Sequence, residues 1–363
     1  MTTLRALYET GGQSPWLDNI RRDWLRDGTM ARLVDEGIRG VTSNPTIFAK
    51  AIDATDQYDA QVARLAGETP DEAFVELAAR DIADTAALLM PVFESSGGAD
   101  GFVSFEVSPT LAHDTDATVE AARTVAKRFS LANLFVKVPA TPEGLPAISA
   151  LIAEGVSVNV TLIFGLERYD QVIDAFLAGL EQAAAAGREL ASIASVASFF
   201  VSRVDTEVDA RLDALNADAS LKGRTAVAQA QLAYEQHTRR FAEPRFTALK
   251  ARGARVQRPL WASTSTKNPA YPDLLYVETL IGPDTVNTMP EATIEAFCDH
   301  GRVARTVDAD YEGARATLAA VEAAGIDLAD VSATLEDKGV NSFAESYGDL
   351  LRTIASTRSA AGR

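Results

Sequence analysis

The stretch "VSVNVT", residues 156–161, decides the fold because its side chains alternate with the period of a β-strand. Three valines fall on one face, while Ser157, Asn159 and Thr161 fall on the other. A parallel strand that is covered on both faces should be almost entirely apolar. We therefore interpret the stretch as a barrel strand, with the valines against surrounding helices and the polar side chains pointing into the barrel.

Seven further stretches have the composition of strands, and helical patterns separate them. The eight predicted strands, β1 to β8 in this order, are "SPWLDN" (14–19), "RGVTSN" (39–44), "FVSFEV" (102–107), "NLFVKV" (133–138), "VSVNVT" (156–161), "IASVASFF" (193–200), "RPLWAS" (258–263) and "DTVNTM" (284–289). Alternation of strands and helices predicts the α/β class, and eight such units predict a closed (β/α)8 TIM barrel.

The lengths of the connections predict three additions to this barrel. The β2–β3 and β6–β7 connections, residues 45–101 and 203–255, have room for additional helices, and the C-terminal tail after residue 303 is helical in pattern. No repeat, linker or shift of composition marks a second domain. We therefore expect one barrel domain over residues 1–363.

The composition excludes several classes of function. A formal net charge of -17 would repel nucleic acids and anionic membranes, so any phosphate bound should be a small one. One cysteine and three histidines provide neither a disulfide nor a cluster with metal-ligand spacing. The apolar runs are far shorter than the roughly 20 residues of a membrane-spanning helix, and the first residues do not resemble a signal peptide. We expect a cytoplasmic protein, and the sequence leaves open whether it is a monomer or a homodimer.

Polar residues recur late in the predicted strands, and in a barrel the C-terminal strand ends form the active-site face. They are Asp18, Asn44, Glu106, Lys137, Asn159, Thr161 and Ser198. Judged singly, Asp18 and Asn44 are typical of helix N-caps or turns. Glu106 and Lys137 are also compatible with a buried ion pair that only supports the scaffold. Their occurrence on separate strands favours one shared site.

Lys137 suits nucleophilic chemistry because its run is otherwise that of a buried strand. Apolar surroundings favour the neutral amine of a lysine, which can attack a carbonyl carbon. An iminium formed at a ketone allows the adjacent carbon–carbon bond to break and leave an enamine. Asp18 is the candidate that takes a hydroxyl proton, and Glu106 is the candidate that moves protons through a water.

Three stretches resemble the signature regions of transaldolases, in the same order, and the resemblance extends over nearly the whole chain. They are "GVTSNPTIF" (40–48), "NLFVKVPATPEGLPAI" (133–148) and "VSVNVTLIFGLERY" (156–169). The resemblance, closest to a longer bacterial branch, implies a pentose phosphate pathway enzyme without metal or organic cofactor. It would move a dihydroxyacetone unit from sedoheptulose 7-phosphate to glyceraldehyde 3-phosphate, giving erythrose 4-phosphate and fructose 6-phosphate.

The resemblance also implies a role for each matching residue. Lys137 would form the Schiff base, and Asp18 would take the C4 hydroxyl proton. Glu106 and Thr161 match the pair that holds the catalytic water. The residues expected to contact the substrate are Asn44, Asn159, Ser198, Phe200, Arg203 and Lys267. Lys267 stands where the best-known members have an arginine, so a point charge replaces a bidentate fork.

Three other functions stay open on the sequence. Fructose 6-phosphate aldolases share the barrel and the lysine, but they carry Gln in place of Glu106 and Tyr in place of Phe200. A pyridoxal-phosphate barrel enzyme would hold its cofactor through a glycine-rich segment, which "TVNTMPEA" (285–292) lacks. A non-catalytic sugar-phosphate-binding barrel would bind its ligand without a covalent adduct.

Overall fold

The computed structural model describes residues 2–65 and 67–361, and its eight parallel strands close into a barrel in sequential order. The strands are β1 (Gln13–Leu17), β2 (Gly40–Val41), β3 (Phe102–Glu106), β4 (Leu134–Pro139), β5 (Val158–Ile163), β6 (Ser195–Phe200), β7 (Arg258–Ala262) and β8 (Thr285–Met289). Each of the eight predicted stretches overlaps a strand, so the predicted (β/α)8 barrel is confirmed.

Helices surround the barrel and fill the long connections. The described α-helices are α1 (Thr3–Glu9), α2 (Arg22–Asp27), α3 (Thr29–Glu36), α4 (Pro45–Asp53), α5 (Asp59–Arg64), α6 (Pro70–Ser95), α7 (Thr115–Phe129), α8 (Gly144–Ala153), α9 (Leu166–Ala185), α10 (Ser202–Ala214), α11 (Thr225–Arg240), α12 (Pro244–Lys250), α13 (Leu275–Glu278), α14 (Glu291–His300), α15 (Tyr311–Ala323) and α16 (Leu328–Ala361). Short 3-10 helices occupy Asp56–Tyr58, Pro109–Leu111, Leu190–Ser192 and Ala219–Leu221. No helix in the described ranges is long and apolar enough to cross a membrane.

The additional helices lie where the sequence predicts them. The β2–β3 connection holds α4, α5 and α6, and the β6–β7 connection holds α10, α11 and α12. The tail contains α15 and then α16, a single helix of 34 residues. The predicted helical character of the tail is therefore confirmed.

The register of neighbouring strands brings the predicted site residues to one level of the barrel. Glu106 on β3 lies opposite Lys137 on β4, and Lys137 lies opposite Asn159 on β5. Residues paired across neighbouring strands point to the same face of the sheet. The polar set deduced from alternation is therefore a contiguous set inside the barrel.

A bulge near the end of β5 alters the alternation beside the site. The pairing of β5 with β6 shifts between Val160 and Ile163, and Leu162 has a positive φ of 63°. A left-handed conformation is costly for a leucine, and bulges often re-aim side chains next to active sites. Thr161, just before this residue, therefore sits at a point where the strand departs from regular pairing.

Candidate active site

A cavity of about 350 Å³ lies at the C-terminal ends of the strands. This volume is within the range of small-molecule sites. Eight residues predicted from the sequence line it: Asp18, Asn44, Lys137, Thr161, Ser198, Phe200, Arg203 and Lys267. The lining also includes residues that the sequence reasoning missed, among them Thr42, Lys50, Ser265, Thr288 and Phe343.

Lys137 and Glu106 form a buried pair at the base of this cavity. The Lys137 ammonium nitrogen lies 3.2 Å from Glu106 Oε2, and both residues are only 5% exposed. Burial raises the pKa of Glu106, although the charge of Lys137 opposes this increase. The pair therefore places a carboxylate with enhanced proton affinity in contact with the amine.

Two polar atoms beside this pair have no partner among the described residues. Glu106 Oε1 and Thr161 Oγ1 are both buried, and neither takes part in a hydrogen bond there. Buried polar groups are almost always hydrogen-bonded, to protein or to water. These two atoms therefore fit the water-holding pair that the family resemblance implies, a role that stays a prediction.

Asp18 is oriented by Thr42, which in turn contacts Thr288, and the sequence reasoning missed both threonines. Thr42 Oγ1 donates a hydrogen bond of 2.7 Å to Asp18 Oδ1, and it lies 2.7 Å from Thr288 Oγ1. The Asp18 N–H donates to the carbonyl of Met289, 2.9 Å away. Asp18 is not a helix cap, because α2 begins after Arg21. Its carboxylate is instead held at the cavity wall.

Asn44 has a structural role and a position in the cavity at the same time. Its Oδ1 accepts a hydrogen bond of 3.0 Å from the Ile47 N–H, so it is the N-cap of α4. The residue also lines the cavity. Capping uses the oxygen alone and leaves the two amide N–H donors for a ligand. The helix N-cap role and the substrate-binding role, both open from the sequence, are therefore compatible.

Asn159 lies under the cavity and is not part of its lining. Its Nδ2 donates to Ser104 Oγ at 3.0 Å, and its Oδ1 accepts from Ser198 Oγ at 2.7 Å. Ser198 does line the cavity. In this arrangement Asn159 positions Ser198, and its predicted direct contact with the substrate stays a prediction.

Positive charge collects at one side of the cavity, from Arg203, Lys267 and Lys50. Within the described part of the chain, no carboxylate lies within 4.0 Å of any of these three side chains. Lys267 Nζ donates to Ser265 Oγ at 2.6 Å. Burial and then the charge of Arg203 lower the pKa of Lys267, and Lys50 lowers it further. In a chain of net charge -17 such a cluster favours binding of a small anion at this point, a role that stays a prediction.

Two aromatic rings hold the Arg203 side chain. Its guanidinium carbon lies 5.1 Å from the centre of the Phe200 ring and 5.8 Å from that of Phe343. Burial lowers the pKa of Arg203, although Asp18 and Glu106 oppose this effect. An arginine stacked on aromatic faces loses less freedom when it binds an anion. The rings therefore leave a preoriented cation at the cavity.

Comparison with known proteins finds similarity over nearly the whole chain. The family model described as Transaldolase/Fructose-6-phosphate aldolase matches residues 15–354. A protein named Transaldolase from Frankia alni is 53% identical over 350 residues, which cover 95% of this chain and 94% of that protein. Proteins of the same name from Thermobifida fusca and Acidothermus cellulolyticus are 53% and 51% identical, over 95% and 98% of this chain and 95% and 96% of their own lengths.

Proposed function

The chain belongs to the transaldolase/fructose-6-phosphate aldolase family, and from this premise we propose that it is a transaldolase acting on sugar phosphates through Lys137. The observation that carries the assignment of the residues is the contact of 3.2 Å between the buried Lys137 amine and Glu106 at the cavity base. The reaction is transfer of a dihydroxyacetone unit from sedoheptulose 7-phosphate to glyceraldehyde 3-phosphate.

The proposed reaction begins when Lys137 Nζ attacks the C2 carbonyl of the ketose phosphate. The amine must first lose a proton, and Glu106 is the nearest base in contact with it. Its raised pKa makes Glu106 a better proton acceptor than an exposed glutamate. Glu106 then returns a proton, through a water that it holds with Thr161, to the hydroxyl group of the carbinolamine. This hydroxyl leaves as a second water, and the iminium forms.

Carbon–carbon cleavage is assigned to Asp18. Its carboxylate takes the C4 hydroxyl proton, the C3–C4 bond breaks, and the electrons flow into the iminium to give an enamine on Lys137. Thr42 holds one oxygen of this carboxylate, which fixes its direction. The aldose phosphate leaves, the acceptor aldehyde enters, and the same steps in reverse form the new bond.

Trapping with borohydride tests the covalent step and the residue together. With fructose 6-phosphate present, borohydride should reduce the iminium and leave a dihydroxyacetone-derived mass on Lys137, located by peptide mass spectrometry. A non-catalytic sugar-phosphate-binding protein would give no adduct. Modification of another lysine under the same conditions would contradict the assignment of Lys137.

Arg203→Ala should weaken binding of phosphorylated substrates. A charge-assisted phosphate contact contributes about 1.5–3 kcal/mol, so KM should increase roughly ten- to a hundredfold, with a smaller change in kcat. Dihydroxyacetone donors without phosphate should change little. Arg188→Ala removes an exposed arginine outside the cavity and serves as the matched control. Equal effects on phosphorylated and unphosphorylated substrates would contradict a phosphate contact.

The raised pKa of Glu106 predicts a pH dependence of kcat/KM. The carboxylate form is needed to accept the proton, so activity should fall as the pH decreases through a value above the ordinary pKa of a glutamic acid. Glu106→Gln should be slower overall and should lack this fall. A pH profile of the variant that keeps the acidic fall of the wild type would show that another group is responsible.

The rival fructose 6-phosphate aldolase reaction differs in the fate of the three-carbon unit. A transferase releases product only when an acceptor aldehyde is present. The relatives named Transaldolase, the carboxylate at Glu106 and the apolar Phe200 at the cavity all support transfer. Steady release of dihydroxyacetone without acceptor would support the aldolase instead.

Assembly, compartment and cofactor use remain predictions from the sequence. Sedimentation of the purified protein distinguishes a monomer from a homodimer, and cell fractionation tests the cytoplasmic location. Activity after exhaustive treatment with a chelator tests the expectation that no metal is needed. An absorption band at a longer wavelength than the protein's own ultraviolet band would support the pyridoxal-phosphate alternative.

A further inference from the structure

Phe343, on the C-terminal helix α16, covers the two functional centres of the cavity. It is 4% exposed, and the centre of its ring lies 5.6 Å from Lys137 Nζ. The same ring lies 5.8 Å from the guanidinium carbon of Arg203. One side chain from outside the barrel strands therefore contacts both the proposed nucleophile and a proposed phosphate cation.

A continuous apolar stripe holds α16 in this position. The buried members of the stripe, spaced by three or four residues, are Val340, Phe343, Tyr347, Leu350 and Ile354. Such spacing places side chains on one face of a helix. The face that carries Phe343 is therefore the face that packs on the barrel.

Contacts on both sides of Phe343 fix the helix across the cavity. On one side, Thr46 of α4 donates to Ser346 at 2.8 Å, and Tyr347 donates to Asp71 of α6 at 2.7 Å. On the other side, Gly339 packs so closely on β5 that an added Cβ would lie 2.9 Å from Leu162 Cδ2. The ring is thus held by a rigid element.

We propose that Phe343 is a positioning residue that keeps further water, beyond the one proposed between Glu106 and Thr161, away from the covalent intermediate on Lys137. The inference rests on the proposed transaldolase reaction, in which the enamine must survive between departure of the first aldose phosphate and arrival of the second. An apolar ring 5.6 Å from Nζ offers no hydrogen bond to a water on the side that it covers. The three-carbon unit then leaves by transfer to an aldehyde.

The competing reaction is hydrolysis of the same intermediate. The enamine carbon takes a proton, a water oxygen adds to C2, and the C2–N bond breaks with its electrons returning to Nζ. One water is consumed, free dihydroxyacetone leaves, and the lysine amine is regenerated. The quantity that Phe343 controls is the ratio of this hydrolysis to transfer.

The test is made on Phe343→Ala. It measures the ratio of two rates, dihydroxyacetone release without acceptor and transfer with acceptor. We expect this ratio to increase about tenfold or more, which corresponds to about 1.4 kcal/mol between the two barriers. Phe343→Leu restores apolar volume and should return the ratio toward that of the wild type. Val340→Ala removes a buried side chain of the same helix that does not line the cavity, and it should leave the ratio unchanged.

Three outcomes would overturn the inference: an unchanged ratio in Phe343→Ala, an equal increase in Val340→Ala, or no recovery in Phe343→Leu. A ratio of two rates measured on one sample does not depend on the folded fraction, so partial unfolding alone leaves it unchanged. Thermal unfolding of each variant then shows whether a substitution has loosened α16 in general. Failure of the proposed function is a different result. In that case the wild type itself forms no borohydride adduct on Lys137 and transfers nothing.

Discussion

Lys137→Met is expected to abolish transfer while leaving the fold intact. Without the amine no iminium forms, and the carbon–carbon bond has no electron acceptor. Loss of a covalent nucleophile reduces turnover by several orders of magnitude, on the order of 10⁴ to 10⁶. The measurement is a coupled assay of fructose 6-phosphate formation, with borohydride trapping in parallel, and neither should give a signal above background.

The structure also indicates how Lys137→Met is tolerated. Methionine fills a similar volume among apolar neighbours, but it leaves Glu106 without its cation. Burial already raises the pKa of Glu106, so the carboxyl should take up a proton and become neutral. Lys127→Met, at an exposed position of α7, is the matched control and should keep full activity. Transfer by a folded Lys137→Met protein would end the Schiff-base assignment.

Asp18→Asn is expected to block carbon–carbon cleavage and to leave iminium formation intact, whereas Lys137→Met removes both steps. An amide still accepts the hydrogen bond from Thr42, but it cannot take the C4 hydroxyl proton. Loss of a general base typically costs about 10² to 10⁴ in rate. Cleavage and transfer should therefore fall by this factor, whereas iminium formation should persist. Borohydride should trap the full-length ketose phosphate on Lys137, a heavier adduct than the three-carbon one.

Glu106→Gln is the informative comparison for Asp18→Asn. Glu106 contacts the amine, so its loss should slow the appearance of any adduct. Asp18 acts later, so its loss should change the mass of the adduct more than its rate of formation. An Asp18→Asn protein that still accumulates the three-carbon adduct at the wild-type rate would show that another base performs cleavage.

Several features of this protein follow from local sequence alone. The alternation in "VSVNVT" and its counterparts predicts the strands, because side chains of a strand alternate whatever its neighbours are. Counting these strands predicts the barrel, and five of the polar positions late in them, Asp18, Asn44, Lys137, Thr161 and Ser198, line the cavity. The capping role of Asn44 was also open from its position before Pro45.

Other features were decided by the tertiary structure. Barrel closure brings Thr42 to Asp18 and Thr288 to Thr42, and the pairing of β5 with β6 places Asn159 in hydrogen-bond contact with Ser198. Lys50 and Phe343 reach the cavity from helices outside the barrel strands. Periodicity within a segment records which face a side chain occupies, but not which distant segment that face meets. That meeting depends on strand register, closure of the barrel and the path of α16, which arise only when the whole chain packs together.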